Sequence, residues 1–190
     1  KPQTPNPKPQ TPNPKPLGTI YSMRIVIQRV LNGKVTVNGL TVGQCAQGLM
    51  LLVGINKKDT EETIFKYADK ILGIRLWDEV KVGEQMDDGK PPKRWCSNVV
   101  QNKYGLLVVS QFTLYAKMKG NKPDFHDALD GDKAKILFDK FVERLRSKYV
   151  PEKVQTGAFG EYMNVELTND GPVTIIWDSE KSAEGEEIEA

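Results

Sequence analysis

Residues 24–30 read Arg-Ile-Val-Ile-Gln-Arg-Val, branched apolar residues with polar ones between them, which predicts a β-strand. Asn32-Gly33 signals a tight turn, and residues 34–37 read as the returning arm of a hairpin. Asn38-Gly39 repeats the signal before residues 40–45. Gly48 opens a run, 49–55, that is apolar almost throughout, the pattern of a central strand covered on both faces. Asp59-Thr60-Glu61-Glu62 reads as a helix start, with a carboxylate at the cap and a Glu three residues on. Ile64, Phe65, Ala68, Ile71 and Leu72 then recur at helical spacing. Residues 74–77 form a further strand, and 79–103 carry no clear period.

Gly105 releases a second apolar strand, 106–109, which runs straight into Ser110-Gln111-Phe112-Thr113-Leu114. Read as strand, that segment places Gln111 and Thr113 on one face and Ser110, Phe112 and Leu114 on the other. From Gly131 a helix runs to about Tyr149 along an apolar stripe of Ala134, Leu137, Phe138, Phe141, Val142 and Leu145, and Pro151 stops it. Residues 154–156, 162–167 and 173–177 complete the strands. The expected fold class is α+β: a compact β-barrel or sheet-like domain of seven or eight mostly hairpin-linked strands with two packed helices.

Composition sets the domain limits. The chain has 190 residues. Residues 1–16 repeat Lys-Pro-Gln-Thr-Pro-Asn-Pro twice, end in Lys-Pro, and hold seven of the twelve prolines. Residues 1–22 therefore read as a solvated, proline-rich linker outside the fold, with a ligand for a partner domain as the alternative. Met23 reads as a natural start. Residues 179–190 carry five Glu against one Lys and read as an acidic disordered tail. One domain, 23–178, remains, and it is long enough to bury a core.

The whole chain has a net charge of +2, which permits a nucleic-acid partner without arguing for one. Cys45 and Cys96 lie far apart and, with the single His126, fit no zinc spacing. They read as reduced thiols, and no run approaches the length of a membrane span. The expectation is a soluble, cytoplasmic protein with no membrane contact, no metal and no cofactor.

Three features could carry chemistry. Ser110, Gln111 and Thr113 put donors and acceptors at the end of an apolar strand, where sheet proteins build pockets; an ordinary strand exit reads the same way. Gly171-Pro172 sits between two strand-like runs. Gly171 tolerates backbone angles closed to other residues, and Pro172 has no N–H. The pair can present two bare carbonyls outward, or simply start the last strand as a turn. His126 has Asp124 and Asp127 beside it, but no nucleophile elbow, P-loop or dinucleotide fingerprint accompanies it. The Lys90-Pro91-Pro92-Lys93-Arg94 loop is a candidate phosphate contact or plain solvated surface.

Four motifs in order resemble those of the D-aminoacyl-tRNA deacylases: Met23-Arg24-Ile25-Val26-Ile27-Gln28-Arg29-Val30, Ser110-Gln111-Phe112-Thr113-Leu114, Thr156-Gly157-Ala158-Phe159-Gly160-Glu161-Tyr162-Met163 and Asn169-Asp170-Gly171-Pro172-Val173-Thr174. The resemblance spans essentially all of 23–178. It implies a homodimer that hydrolyses the ester between a D-amino acid and tRNA. It implies a cis Gly171–Pro172 bond whose carbonyls enter the partner subunit's pocket and leave no room for an L side chain. Ser110, Gln111 and Phe112 would line that pocket, with Thr113 and nearby main-chain groups at the ester and Ser110 and Gln111 as further catalytic candidates. Arg29 would steady the Gly171-Pro172 segment, and Phe159 and Met163 would hold the terminal adenosine. Catalysis would lean on the 2′-hydroxyl of the tRNA, with neither metal nor histidine base.

A filter that works by excluding an L side chain cannot reject glycine, so glycyl-tRNA is expected to be cleaved too. Two departures stand out. Asn121-Lys122-Pro123-Asp124-Phe125-His126 replaces an Arg-Pro-Ser-Phe segment, and the stretch from 79 to 101 is longer and more basic than the family's hairpin. Some animal relatives of this fold are associated with DNA unwinding elements, so a nucleic-acid-binding module is the alternative function. A bare interaction domain is a third.

Overall fold

The computed structural model describes residues 23–79 and 91–178. The readings of 1–22 and 179–190, and residues 80–90 of the stretch without a clear period, lie outside the described residues. Ten strands and two helices follow in chain order. They are β1 Arg24–Val37, β2 Leu40–Cys45, β3 Gly48–Gly54, α1 Glu61–Gly73, β4 Arg75–Trp77, β5 Ser97–Asn98 and β6 Gly105–Ser110. Then come β7 Lys117–Lys119, β8 Lys122–Asp124, α2 Gly131–Lys148, β9 Val154–Thr156 and β10 Asn164–Asp178.

Six strands form one sheet in the order β10–β1–β3–β6–β9, with β2 beside β1. The sheet curls into a nearly closed barrel at Gly43. A Cβ there would sit 2.1 Å from the Thr156 carbonyl oxygen, so only glycine lets β2 lie against β9. The α+β class and the two helices are as expected. The connections are not mostly hairpins. β3, β6 and β9 run parallel, and parallel neighbours need a crossover, which α1 and α2 supply.

Alternation along the central strands sorts the core into two sides. Leu49, Leu51, Leu106 and Val108 face the helices and meet Ile64, Ile71, Phe138 and Phe141. Met50, Leu107 and Val109 face inward with Val30 and Val35. Each such side chain contributes about 1.5–3 kcal/mol on burial, so both faces of β3 and β6 resist polar substitution.

Four local expectations are corrected. Asn32-Gly33 is not a turn, because β1 runs through it. Gly33 is not among the glycines with positive φ; a side chain there would press on Leu107 at 3.1 Å, so it serves close packing. The real turn is Asn38-Gly39, where both residues have positive φ, 50° and 80°, as a hairpin of this type requires. The cap of α1 is Thr60, whose hydroxyl accepts from the Thr63 N–H; the Asp59 carboxylate instead accepts from the Asn56 N–H at 2.7 Å.

Residues 162–167 and 173–177 are not two strands, since β10 spans Asn164–Asp178 continuously. Its pairing with β1 jumps from Val173 opposite Arg29 to Asn169 opposite Val30, so Asp170, Gly171 and Pro172 bulge out between. Finally, the strand does not continue through 110–114. β6 ends at Ser110, and Phe112–Tyr115 form a 3-10 turn. The turn buries Tyr115, whose hydroxyl donates to the Gly54 carbonyl at 3.3 Å. Arg24 holds the turn from behind, donating to the Leu114 carbonyl at 3.1 Å with its guanidinium 5.0 Å from the Tyr115 ring centre.

Candidate active site

A cavity of about 350 Å³ opens where β3 and β6 end. The carboxyl ends of parallel strands are the usual place for a ligand, because the chain leaves the sheet there and its loops diverge. Val53 and Ile55 come from β3 and its exit, and Ser110, Gln111 and Phe112 from β6 and its exit. Phe125, Ala128 and Leu129 come from the segment before α2, Gly131 and Ala134 from the start of α2, and Phe159 and Gly160 from the loop after β9. None of these lining side chains ionises.

The local geometry is fixed by backbone and amide contacts. The Gln111 N–H donates to the Val53 carbonyl at 2.8 Å, which ties the exits of the two strands together. The Gln111 side-chain amide donates to the Thr113 hydroxyl at 2.5 Å, so the two residues meet through the turn and not by strand alternation. Phe112 and Phe125 stand edge to face with ring centres 5.1 Å apart. Phe159 packs on Phe138 of α2 at 5.6 Å, which fixes the far wall.

His126 is adjacent to the wall but does not line it. Its Nδ1 lies 2.9 Å from Asp124 and its Nε2 3.1 Å from Asp127, so both ring nitrogens face carboxylates. Lys119 pairs with Asp124 and Lys117 with Asp127. Lys119, and then His126, hold the Asp124 carboxyl well below the usual carboxylate range. The basic β7–β8 hairpin is thus partly neutralised by its own acids.

Met163 apart, the sequence-predicted site residues fall into two groups. Ser110, Gln111, Phe112 and Phe159 line the cavity, and Thr113 follows in the same turn. Met163 packs with the inner core of Val30, Val35 and Met50, and its sulfur would meet a Cβ on Gly157 at 2.7 Å. Arg29, Gly171 and Pro172 form the second group, and none of them lines the cavity of their own chain.

The Gly171–Pro172 bond is cis, Gly171 has φ 119°, and both residues are exposed. Arg29 reaches across from β1 to this bulge. It donates to the Asp170 carbonyl at 3.3 Å, pairs with the Asp170 carboxylate at 3.1 Å and donates to the Leu76 carbonyl at 2.5 Å. One of its terminal nitrogens lies 3.3 Å from where a Gly171 side chain would begin.

Residues 26–178 match the family described as D-Tyr-tRNA(Tyr) deacylase. The chain belongs to that family. A deacylase of Leishmania major, D-aminoacyl-tRNA deacylase 1, is 46% identical over 159 residues, which cover 84% of this chain and 99% of the relative. The human D-aminoacyl-tRNA deacylase 1 is 39% identical over 157 residues, 83% of this chain and 70% of the relative. Among solved structures, the c-Myc DNA Unwinding Element Binding Protein superposes with a TM-score of 0.72 at 39% identity, covering 81% of this chain and 97% of that one. A probable eukaryotic D-amino acid tRNA deacylase shares the fold at a TM-score of 0.68 and 17% identity.

Membership in this hydrolase family accounts for the order of the four motifs. Pattern reading did not find Phe125, Leu129, Ala134 and Leu76. Phe125 left one signal, a lone aromatic between Asp124 and His126. No helix among the described residues is long and apolar enough to cross a membrane.

Proposed function

We propose that this chain hydrolyses the ester of D-aminoacyl-tRNA, releasing the free D-amino acid and tRNA, and that it cleaves glycyl-tRNA as well. The observation that carries this reading is a cavity whose lining side chains include no acid or base, paired with an outward Gly171-Pro172 bulge that its own chain does not use. Water adds to the ester carbonyl, the bond to the ribose oxygen breaks, and the proton goes to that leaving oxygen. The resemblance to the deacylases gives the assisting role to the vicinal 2′-hydroxyl of the terminal adenosine, and a wall without ionisable side chains supports that reading.

Residues 110–113 bear on the ester. The 3-10 turn begins at Phe112, so the N–H groups of its first residues have no carbonyl behind them within the turn. They and the Thr113 hydroxyl are the polar groups offered to the reacting carbonyl. Phe112 and Phe159 are assigned to holding the adenosine and the amino-acid end, while Met163, packed on the inner core, lies outside the cavity wall. Ser110 and Gln111 shape the floor.

Selection by handedness is assigned to Gly171 and Pro172 of a second copy. Their carbonyls face the substrate Cα and occupy the space an L side chain needs. A homodimer is supported by β10, a 15-residue strand that pairs only with β1 among the described strands and exposes Ile175 and Ile176. A long apolar edge of this kind is usually covered.

The test charges one tRNA with D-tyrosine and another with L-tyrosine and follows release under single-turnover conditions. Preferential release from the D-ester is expected. Equal rates on both, or duplex-DNA binding that weakens with salt in protein lacking esterase activity, would overturn the reading.

A further inference from the structure

We propose that Trp95 is a positioning residue for the Gly171-Pro172 bulge, acting through the Arg29 guanidinium. The inference rests on the filter reading above. Trp95 has φ 57°, a conformation that a bulky side chain adopts only rarely. It is also 53% exposed, an uncommon setting for an indole. A residue held in such a state calls for a compensating role.

The surroundings indicate that role. The segment carrying Trp95 runs antiparallel to β4, with the Cys96 N–H donating to the Trp77 carbonyl and the Glu79 N–H to the Lys93 carbonyl, both at 2.8 Å. Arg94 and Trp95 are the two residues left between these bonds, a bulge in the ladder. The left-handed backbone at Trp95 turns its ring out of the ladder and over Arg29, whose guanidinium carbon lies 6.0 Å from the ring centre.

That cation is already fixed by the Leu76 carbonyl and by the carbonyl and carboxylate of Asp170. The ring supplies an aromatic wall to the same group. A guanidinium held by acceptors along its edge and by a ring has little freedom to swing, and one of its nitrogens lies 3.3 Å from where a Gly171 side chain would begin. Loosening the ring lets Arg29 move, and the bulge that excludes an L side chain moves with it.

The test compares wild type with Trp95→Gly and Trp95→Phe. Glycine keeps the positive φ at no steric cost, so Trp95→Gly removes the ring without straining the bulge. Two quantities are read: the ratio of hydrolysis rates on D- and L-tyrosyl-tRNA, and solvent exchange of the Arg29 Nε–H by NMR. Trp95→Gly is expected to lower the D/L ratio about two- to fivefold, the range of an exposed cation–ring contact, and to speed exchange at Arg29. Trp95→Phe restores part of both. An unchanged ratio in Trp95→Gly, or an equal fall on both substrates, would overturn the positioning role. A wild type without D preference would instead overturn the filter reading, and the Arg29 exchange rate would still judge the contact on its own.

Discussion

Replacing Arg29 with Met removes the cation that ties β1 to the bulge while keeping the length of its aliphatic stem. Three bonds are lost, to the Asp170 carbonyl, the Asp170 carboxylate and the Leu76 carbonyl. An exposed ion pair is worth about 0–1 kcal/mol, and a hydrogen bond from a charged group about 1.5–3 kcal/mol. The Arg29 side chain is 17% exposed and that of Asp170 27%, between the two regimes. About 2 kcal/mol of destabilisation follows, and for a domain of this size that lowers Tm by about 4–8 °C. If the same energy holds Gly171 in register, D/L discrimination falls by no more than about thirtyfold. Arg29→Lys keeps the charge but loses the planar fork and falls between. Circular-dichroism melting and single-turnover release of labelled tyrosine measure both quantities. A Tm within about 1 °C of wild type, together with an unchanged D/L ratio, would refute the bracing role. A lowered Tm with full discrimination would leave Arg29 as a structural pin and remove it from the filter.

If the Thr113 hydroxyl only positions the ester, Thr113→Ala stays within about tenfold of wild-type kcat; loss of a true nucleophile costs on the order of 10⁴–10⁶, and a fall of that size would make Thr113 the attacking group. Burial pushes the Cys45 thiol up to about 11, so at pH 8 it is neutral and resists iodoacetamide in the folded protein. Mass spectrometry that finds native Cys45 alkylated as fast as in urea would contradict that burial. Gly54→Ala crowds the Tyr115 ring at 3.0 Å and the Gln111 carbonyl at 3.1 Å, and so shifts the 3-10 turn. Its deacylation rate falls more steeply than its Tm, and wild-type activity would show that the position of the turn is not critical.

Much of the fold was legible because its signals are local and strong. The apolar runs at 49–55 and 106–109 marked the two central strands, and the stripe from Ala134 to Leu145 marked α2. Misreadings arose where tertiary contacts overrode a local signal. Asn32-Gly33 has the composition of a turn, but Gly33 is needed for packing on Leu107. Residues 110–114 look like strand until Tyr115 is buried against Gly54. Parallel pairing of β3, β6 and β9 leaves no mark between neighbouring residues, and so the crossovers were missed.

The site was legible in the same uneven way. Ser110, Gln111, Phe112 and Phe159 were singled out by their motifs, and the structure brings the four to one cavity. The walls from Ile55, Leu129 and Ala134 depend on how the start of α2 meets the ends of β3 and β6, which no spacing reports. The division into a cavity and a separate bulge appeared only once β10 proved continuous with three residues displaced from its pairing.

Single-turnover hydrolysis of three esters on one tRNA, D-alanyl, glycyl and L-alanyl, tests backbone exclusion most directly, since the substrates differ only in the presence and placement of one methyl group. The account predicts rapid cleavage of the D-alanyl and glycyl esters and protection of the L-alanyl ester. Cleavage of L-alanyl-tRNA at the glycyl rate, or survival of glycyl-tRNA beside rapid loss of D-alanyl-tRNA, would contradict it.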